Sequence, residues 1–262
     1  MPYVFSPSTL KIMDECPCCF WWSMNNDVKR PQGIPPALAI QVDSQLKKEF
    51  DSFRRNGVSP PVLQNLENGK IRLHNNQKNI DEWRSGISHK YSNNVVLFGK
   101  VDDVLEENKS LIMFDIKTTG KNGTNCTEEE LNKSVEKYRY RLQLEFYSYL
   151  LGKKGFPTRD YGYLLFYFIN KFDNRGNADF GTMPMRVNLD IKNVEKEVKR
   201  ALEVLNMEEP PQPGTNDKGK VCEYCSFSDE RYKKHPKNQP ELIDLLKAMS
   251  KDSKGNSSKP QL

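Results

Sequence analysis

Two apolar segments separated by a short polar turn constrain this chain more than any other feature. Val95 to Val104 and Leu111 to Lys117 are rich in Val, Leu, Ile and Phe, and Glu106-Glu107-Asn108-Lys109-Ser110 lies between them. The pattern predicts two strands joined as a hairpin. Side chains alternate across a strand, so Asp115 and Lys117 share one face, Ile116 points to the other, and pairing brings Asp102 opposite the first two. Two carboxylates and an ammonium then converge. Hard oxygen ligands suit Mg²⁺, which keeps several waters for reaction, and a neighbouring lysine can orient or deprotonate one of them for attack on phosphorus. Asp-x-Lys by itself is commonplace on solvated hairpins, so the rest of the chain has to supply the context.

Helical periodicity predicts helices over Ser6 to Ser23 and over Ala37 to Phe53, the latter with Leu38, Val42, Leu46, Phe50 and Phe53 on one face. The stretch up to Tyr91 reads as polar helix with an apolar stripe. Thr127-Glu128-Glu129-Glu130 is a capping box that opens a long helix ending near Gly152, with Arg139, Gln143 and Tyr147 at steps of four. Tyr161 to Ile169 is apolar enough for a buried strand and Met183 to Leu189 is its expected neighbour, followed by an amphipathic helix from Asp190 to Asn206. Glu209-Pro-Pro-Gln-Pro-Gly is a stiff loop leading to Cys222 and Cys225. The expectation is an α/β fold with a central mixed β-sheet flanked by helices, one domain over residues 1–249 and a disordered tail over 250–262.

Forty Lys and Arg against 35 Asp and Glu leave a net charge of +5, which tolerates a phosphate-bearing partner without requiring one. No apolar run is long enough to span a bilayer and no signal pattern opens the chain, so the expectation is a soluble, cytoplasmic protein without a membrane partner. Six cysteines in such a chain favour metal ligation or free thiols over disulfides. Cys16 with Cys19, and Cys222 with Cys225, form two C-x-x-C pairs, the spacing with which one turn offers two sulfurs to a metal or cluster. Cys126 stands apart and reads as a free thiol near a helix start.

Four features together resemble the PD-(D/E)XK nuclease superfamily, specifically its RecB-like branch: Gly99-Lys-Val-Asp102, Asp115-Ile-Lys117-Thr118, Gln143 with Tyr147 as a Q-x-x-x-Y helix motif, and the opening Ser6-Pro-Ser8-Thr-Leu10 followed by Cys16-Pro17. The resemblance implies a restriction-endonuclease-like core with Asp102, Asp115, Lys117, Gln143 and Tyr147 as catalytic residues. It implies Mg²⁺ or Mn²⁺ held by Asp43, Asp102, Asp115 and Ile116. The chain departs from the family at Asp43, which stands where a histidine is usual. Members that resemble the CRISPR-associated and AddB-like nucleases hold a 4Fe-4S cluster. Cys16, Cys19, Cys222 and Cys225 would supply its ligands here, joining the N- and C-terminal cysteine segments; Zn²⁺ is the alternative, and Cys18 could stand in for Cys19. The family's last cysteine has no counterpart, Arg231 lying near its place.

The function implied is hydrolysis of DNA phosphodiester bonds by a metal-dependent nuclease acting on ends or single strands, in repair, recombination or phage- and CRISPR-related processing. A helicase or recombination protein would be a partner, since the chain carries no helicase motif. The alternatives are a nucleic-acid-binding or structural subunit that cleaves poorly, and a zinc-stapled interaction module. Trp21, Trp22, Lys121, Arg139 and Arg141 are candidates for nucleic-acid contact, although packing explains the tryptophans and solvation the charges more simply.

Overall fold

The computed structural model describes residues 2–31, 33, 36–64, 66–120, 126–216 and 218–234. In chain order the elements are β1 (Tyr3–Phe5), α1 (Pro7–Glu15), α2 (Pro17–Asn25), α3 (Ala37–Arg55), two 3₁₀ turns (Pro61–Leu63 and Leu66–Gly69), β2 (Arg72–Leu73), α4 (Gln77–Ser85), β3 (Ile87–Ser92), β4 (Val95–Gly99), β5 (Asp103–Glu107) and β6 (Ser110–Thr118). They continue with α5 (Glu128–Lys137), α6 (Tyr140–Lys153), β7 (Thr158–Phe172), β8 (Ala178–Asn188), α7 (Asn193–Leu205) and α8 (Glu223–Lys234). The chain divides into two compact units, Met1–Pro7 with Ile34–Glu197, and Ser8–Gly33 with Val198–Leu262.

The first unit carries a five-stranded mixed sheet in the order β2-β5-β6-β7-β8 and a three-stranded sheet in the order β1-β4-β3. Among the described strands of the larger sheet only β6 and β7 run parallel, and the connection between them carries α5 and α6, as a parallel pair requires. Phe114 and Ile116 of β6, Leu105 of β5 and Leu165 of β7 close against Leu46 and Phe50 of α3 in one buried cluster. Because Asp115 alternates with Phe114 and Ile116, it faces away from that cluster. The mixed sheet with flanking helices is the expected α/β, restriction-endonuclease-like architecture.

Local structure corrects the sequence reading at several points. The hairpin exists, with β5 antiparallel to β6 and with positive φ at both Asn108 (50°) and Lys109 (64°), as a primed two-residue turn demands. Its first arm is not continuous, however: Val95–Gly99 belongs to the smaller sheet. Val101 N–H bonds to the Trp83 carbonyl and the Asp102 carbonyl accepts from Arg84 Nε at 2.8 Å, so α4 takes the hydrogen bonds that an unbroken strand would have used. Gly99 marks the crossing, since a Cβ there would meet the Tyr147 ring at 2.8 Å.

The long helix expected from Thr127 is two helices. Tyr138 ends α5, and Arg139 at φ 56° turns the chain into α6, so Arg139 lies outside the helix that carries Gln143 and Tyr147. The helix expected over Ser6 to Ser23 is likewise broken at Cys16, because Pro17 lacks an N–H and pushes the preceding residue into extended backbone, here φ −164°. Ile87–Ser92, expected to be helical, is β3: its burial alternates, and β4 supplies its partner.

In the second unit α2 packs on α8. Trp21 Nε1 donates to the Met207 carbonyl at 3.1 Å and Asn25 Nδ2 to the Leu205 carbonyl at 3.2 Å. The tail 250–262 lies outside the described residues. No described helix is long and apolar enough to cross a membrane.

Candidate functional site

β6 delivers Asp115, wholly buried, and two residues later Lys117 on the same face. Lys117 Nζ lies 2.5 Å from Asp115 Oδ2 and donates to Gln143 Oε1 at 2.8 Å. Gln143 Nε2 in turn donates to Asp115 Oδ1 at 2.8 Å and to the Tyr147 hydroxyl at 2.9 Å. Gln143 and Tyr147 are one helical turn apart on α6, so a single helix face closes a ring of bonds over the strand. The Lys117 ammonium also sits over the Tyr140 ring, 4.5 Å from its centroid, a contact the motif did not announce.

Burial raises the Asp115 carboxyl to about 7; Lys117 opposes the rise and the neighbouring Asp102 carboxylate adds to it. Burial works against the charge on Lys117, but Asp115 and then Asp102 outweigh it, and the ammonium is held above its ordinary value. Burial and the Asp115 charge likewise push the Tyr147 phenol up. These mutual influences place Asp102, Asp115 and Lys117 at one location, as the strand reading expected.

The acidic pair Asp102-Asp103 is split between two tasks. Asp103, on β5, is buried and paired with Arg54 and, at 3.0 Å, with Arg84. Arg84 also grips both oxygens of Asp51 at 2.9 and 2.8 Å while holding the Asp102 carbonyl. Arg54 and Arg84 therefore fix the backbone of the bend and leave the Asp102 side chain free to face Asp115.

Asp43 is reached through a residue that sequence reasoning missed. Lys47, one turn further along α3, lies 2.8 Å from Asp43 Oδ2 and 2.7 Å from Asp102 Oδ1. Its i,i+4 spacing from Asp43 was visible in the sequence, but its pairing with Asp102 depends on the tertiary fold. The Ile116 side chain belongs to the apolar core, so only its main-chain carbonyl is available as a ligand.

Whether the group fits a divalent ion turns on Asp115. Oδ2 is buried and makes no hydrogen bond of acceptable geometry among the described residues, although Lys117 is in ion-pair range. A buried carboxylate oxygen with spare capacity, beside a second carboxylate, is an oxygen donor set of the kind that Mg²⁺ or Mn²⁺ takes. Asp43, Asp102, Asp115 and the Ile116 carbonyl are the groups that would hold it.

The second candidate site lies within the second unit. The ligand atoms of Cys16, Cys19, Cys222 and Cys225 are all within 4.8 Å of one another, with Cys16 to Cys225 at 3.7 Å, Cys19 to Cys222 at 3.7 Å and Cys19 to Cys225 at 3.5 Å. The kink at Pro17 makes Cys16 the cap of α2, so its sulfur accepts from Cys19 N at 3.5 Å. Gly214 N donates to the same sulfur at 3.2 Å, an approach open to glycine because a Cβ would meet the Glu15 carbonyl oxygen at 2.5 Å. Burial raises the Cys16 thiol, but the N–H bonds from Cys19 and Gly214, with the neighbouring Cys225 and Cys19 thiols, together outweigh it and bring it to about 7. Arg30, paired with Glu15 at 2.5 Å, points Nη2 at Cys222 Sγ, 3.8 Å away.

Cys18 lies near Cys225 but outside the set of four. Cys126 is buried in the first unit, and none of the cysteines is in a disulfide. Of the candidate nucleic-acid contacts, Arg139 pairs with Glu197 at 3.1 Å and Arg141 with Glu136 at 2.5 Å, Trp21 is tied to Met207, Trp22 packs edge-on against Trp21, and Lys121 lies outside the described residues.

A sequence-family model, that of the PD-(D/E)XK nuclease superfamily, matches residues 46–229. No curated protein gives a significant match.

Proposed function

The chain belongs to the PD-(D/E)XK nuclease superfamily, and from that premise we propose a Mg²⁺- or Mn²⁺-dependent deoxyribonuclease of the RecB-like branch, acting on DNA ends or single strands. The observation that carries the reading is the hydrogen-bonded set of Asp115, Lys117 and Gln143 beside Asp102. A divalent ion, when bound, would polarise the phosphodiester and favour hydroxide over water near neutral pH. Lys117, kept protonated by Asp115, orients the attacking water and stabilises charge developing on phosphorus; it does not act as a base. Gln143 is a positioning residue: its carbonyl oxygen fixes the ammonium and its amide nitrogen fixes the carboxylate. Tyr147 holds that amide and, through its ring against Gly99, fixes α6 against β4.

The test is a time course on labelled linear, circular and single-stranded DNA with Mg²⁺, Mn²⁺ or EDTA. Cleavage of linear or single-stranded DNA that EDTA stops is the expected result. Absence of cleavage with either ion overturns the reading, and loss of the circular substrate at the same rate removes the preference for ends. Repair, recombination or CRISPR-related processing, with a helicase or recombination partner, is the setting that the branch resemblance favours.

The four cysteines are proposed to hold a metal that cross-links their segments. Although the branch resemblance favours a 4Fe-4S cluster, the sulfur spacing supports a single tetrahedral ion. Thiolates around one Zn²⁺ at about 2.3 Å stand roughly 3.8 Å apart; three of the sulfur pairs here are 3.5 to 3.7 Å apart and all four sulfurs lie within 4.8 Å of one another. A four-iron cluster binds each thiolate to a different iron and would hold the four sulfurs farther apart than a single ion does. Elemental analysis of anaerobically purified protein, expected to give one zinc per chain and no sulfide, decides the matter; iron with sulfide overturns the zinc assignment.

A further inference from the structure

We propose that Lys47 is a built-in counterion that holds the cation position of the carboxylate site in the ion-free protein and is displaced when a divalent ion enters. The proposal rests on the nuclease reading above. Its own basis is the placement of one ammonium 2.8 Å from Asp43 Oδ2 and 2.7 Å from Asp102 Oδ1. Asp43 comes from α3 and Asp102 from the bend before β5. Two carboxylates from separate elements repel each other unless a cation lies between them, and here Lys47 is that cation. An ordinary i,i+4 surface pair would involve Asp43 alone; the third partner, far away in sequence, makes this a site.

A divalent ion gripped by the same oxygens at about 2.1 Å would lie within a few ångströms of the ammonium. Two cations that close repel strongly in a half-buried setting, where water screens them poorly. Local charge points the same way. With Lys117 and a divalent ion in place, Asp43, Asp102 and Asp115 are neutralised, and a further ammonium is in excess. The Lys47 side chain is a quarter exposed, with 26% of its surface open to solvent, and its flexible stem lets the head swing outward.

Two consequences follow. The lysine keeps Asp43 and Asp102 converged before the ion arrives, and it makes the ion compete for them. Once displaced, the ammonium needs another anion, and a nucleic-acid phosphate bound at the site is the one available. Substrate therefore favours ion loading, because it gives Lys47 a new partner.

The experiment is equilibrium Mn²⁺ binding, read as free Mn²⁺ by electron paramagnetic resonance on the full chain without DNA. Wild type, Lys47→Met, Lys47→Gln and Lys47→Arg are compared after circular dichroism has shown each to be folded. Removing the competing charge should tighten Mn²⁺ binding by about tenfold in Lys47→Met and Lys47→Gln, with Lys47→Arg near wild type. Non-cleavable phosphorothioate DNA should tighten binding to wild type and not to Lys47→Met. Binding to wild type that is unchanged or weakened by Lys47→Met and Lys47→Gln overturns this proposal while leaving the nuclease reading intact. No Mn²⁺ binding by wild type or any variant overturns both.

Discussion

The carboxylate site of the first unit draws Asp115 and Lys117 from one strand and Gln143 and Tyr147 from one helix, and Gln143 bonds to each of the other three. The cysteine cluster of the second unit joins segments 209 residues apart in the case of Cys16 and Cys225, and its sulfurs have little but one another and a few N–H donors to hold them. One site is organised by the fold, with Arg54 and Arg84 anchoring Asp103 behind it. The other, on the proposed reading, would organise its part of the fold through the metal it binds. The difference teaches where each metal acts: at the carboxylates it would matter to chemistry, and at the cysteines to stability.

The largest expected effect tests the first half of that contrast. Asp115→Asn keeps the shape and the bond from Gln143 but removes the charge that a divalent ion requires. Cleavage should fall by about a thousandfold or more, with circular dichroism showing the fold retained. Metal content at the cysteines should not change. A variant cleaving within threefold of wild type would remove Asp115 from the site.

Cys222→Ser tests the other half. Losing one of four ligands should release the metal and cost about 3 kcal/mol, equivalent to roughly 6–12 °C in a chain of this size. The Mn²⁺ titration of the carboxylate site should be unmoved. An unaltered melting temperature, with metal still bound, would falsify the cross-link.

A smaller effect appears in the pH dependence of ion-free protein. In the unfolded chain a carboxyl loses its proton near pH 4, whereas burial keeps the Asp115 proton in place up to about 7. Between these values the folded state binds more protons than the unfolded state, so raising the pH destabilises it. The contribution is whole below about pH 4 and gone once the pH passes about 7. Melting temperatures should therefore fall across this window, and Asp115→Asn should flatten the fall. Saturating Mg²⁺, which favours the ionised carboxylate, should flatten it too. A slope that is identical in Asp115→Asn and wild type would assign it to other groups.

Part of the carboxylate site was legible locally: strand alternation puts Asp115 and Lys117 on one face, and a four-residue helix step puts Gln143 and Tyr147 on another, although the family resemblance and not periodicity singled out the second pair. Lys47 was not, because its pairing with Asp102 arises only when α3 folds onto the sheet. The role of Asp103 was also hidden: the sequence reading named Asp102 alone, and the arginines that hold Asp103 lie far from it along the chain. Helix breaks at Cys16 and Arg139 differ in the same way. The first has Pro17 as a written cause, whereas the second places a non-glycine residue in left-handed backbone that its sequence does not announce. Strand β3 escaped because its alternation is weak until β4 lies beside it.

The finest prediction separates two neighbours, Cys18 and Cys19, and so sharpens what defines the second site. Cys19 comes round the helix onto the same side as Cys16 because three residues make almost a full turn, whereas Cys18, two residues on, reaches Cys225 without joining the set of four. Only Cys19 falls within the set whose sulfurs lie within 4.8 Å of one another. Cys19→Ser should therefore release metal and lower stability as Cys222→Ser does. Cys18→Ser should keep the full metal content and shift stability by less than about 0.5 kcal/mol, as a change outside the ligand set does. Parallel metal analysis and thermal melts of the two variants provide the check. Equal metal loss from both would mean that the metal recruits Cys18, and that the ligands are chosen by the ion after it binds and not by the turn that precedes it.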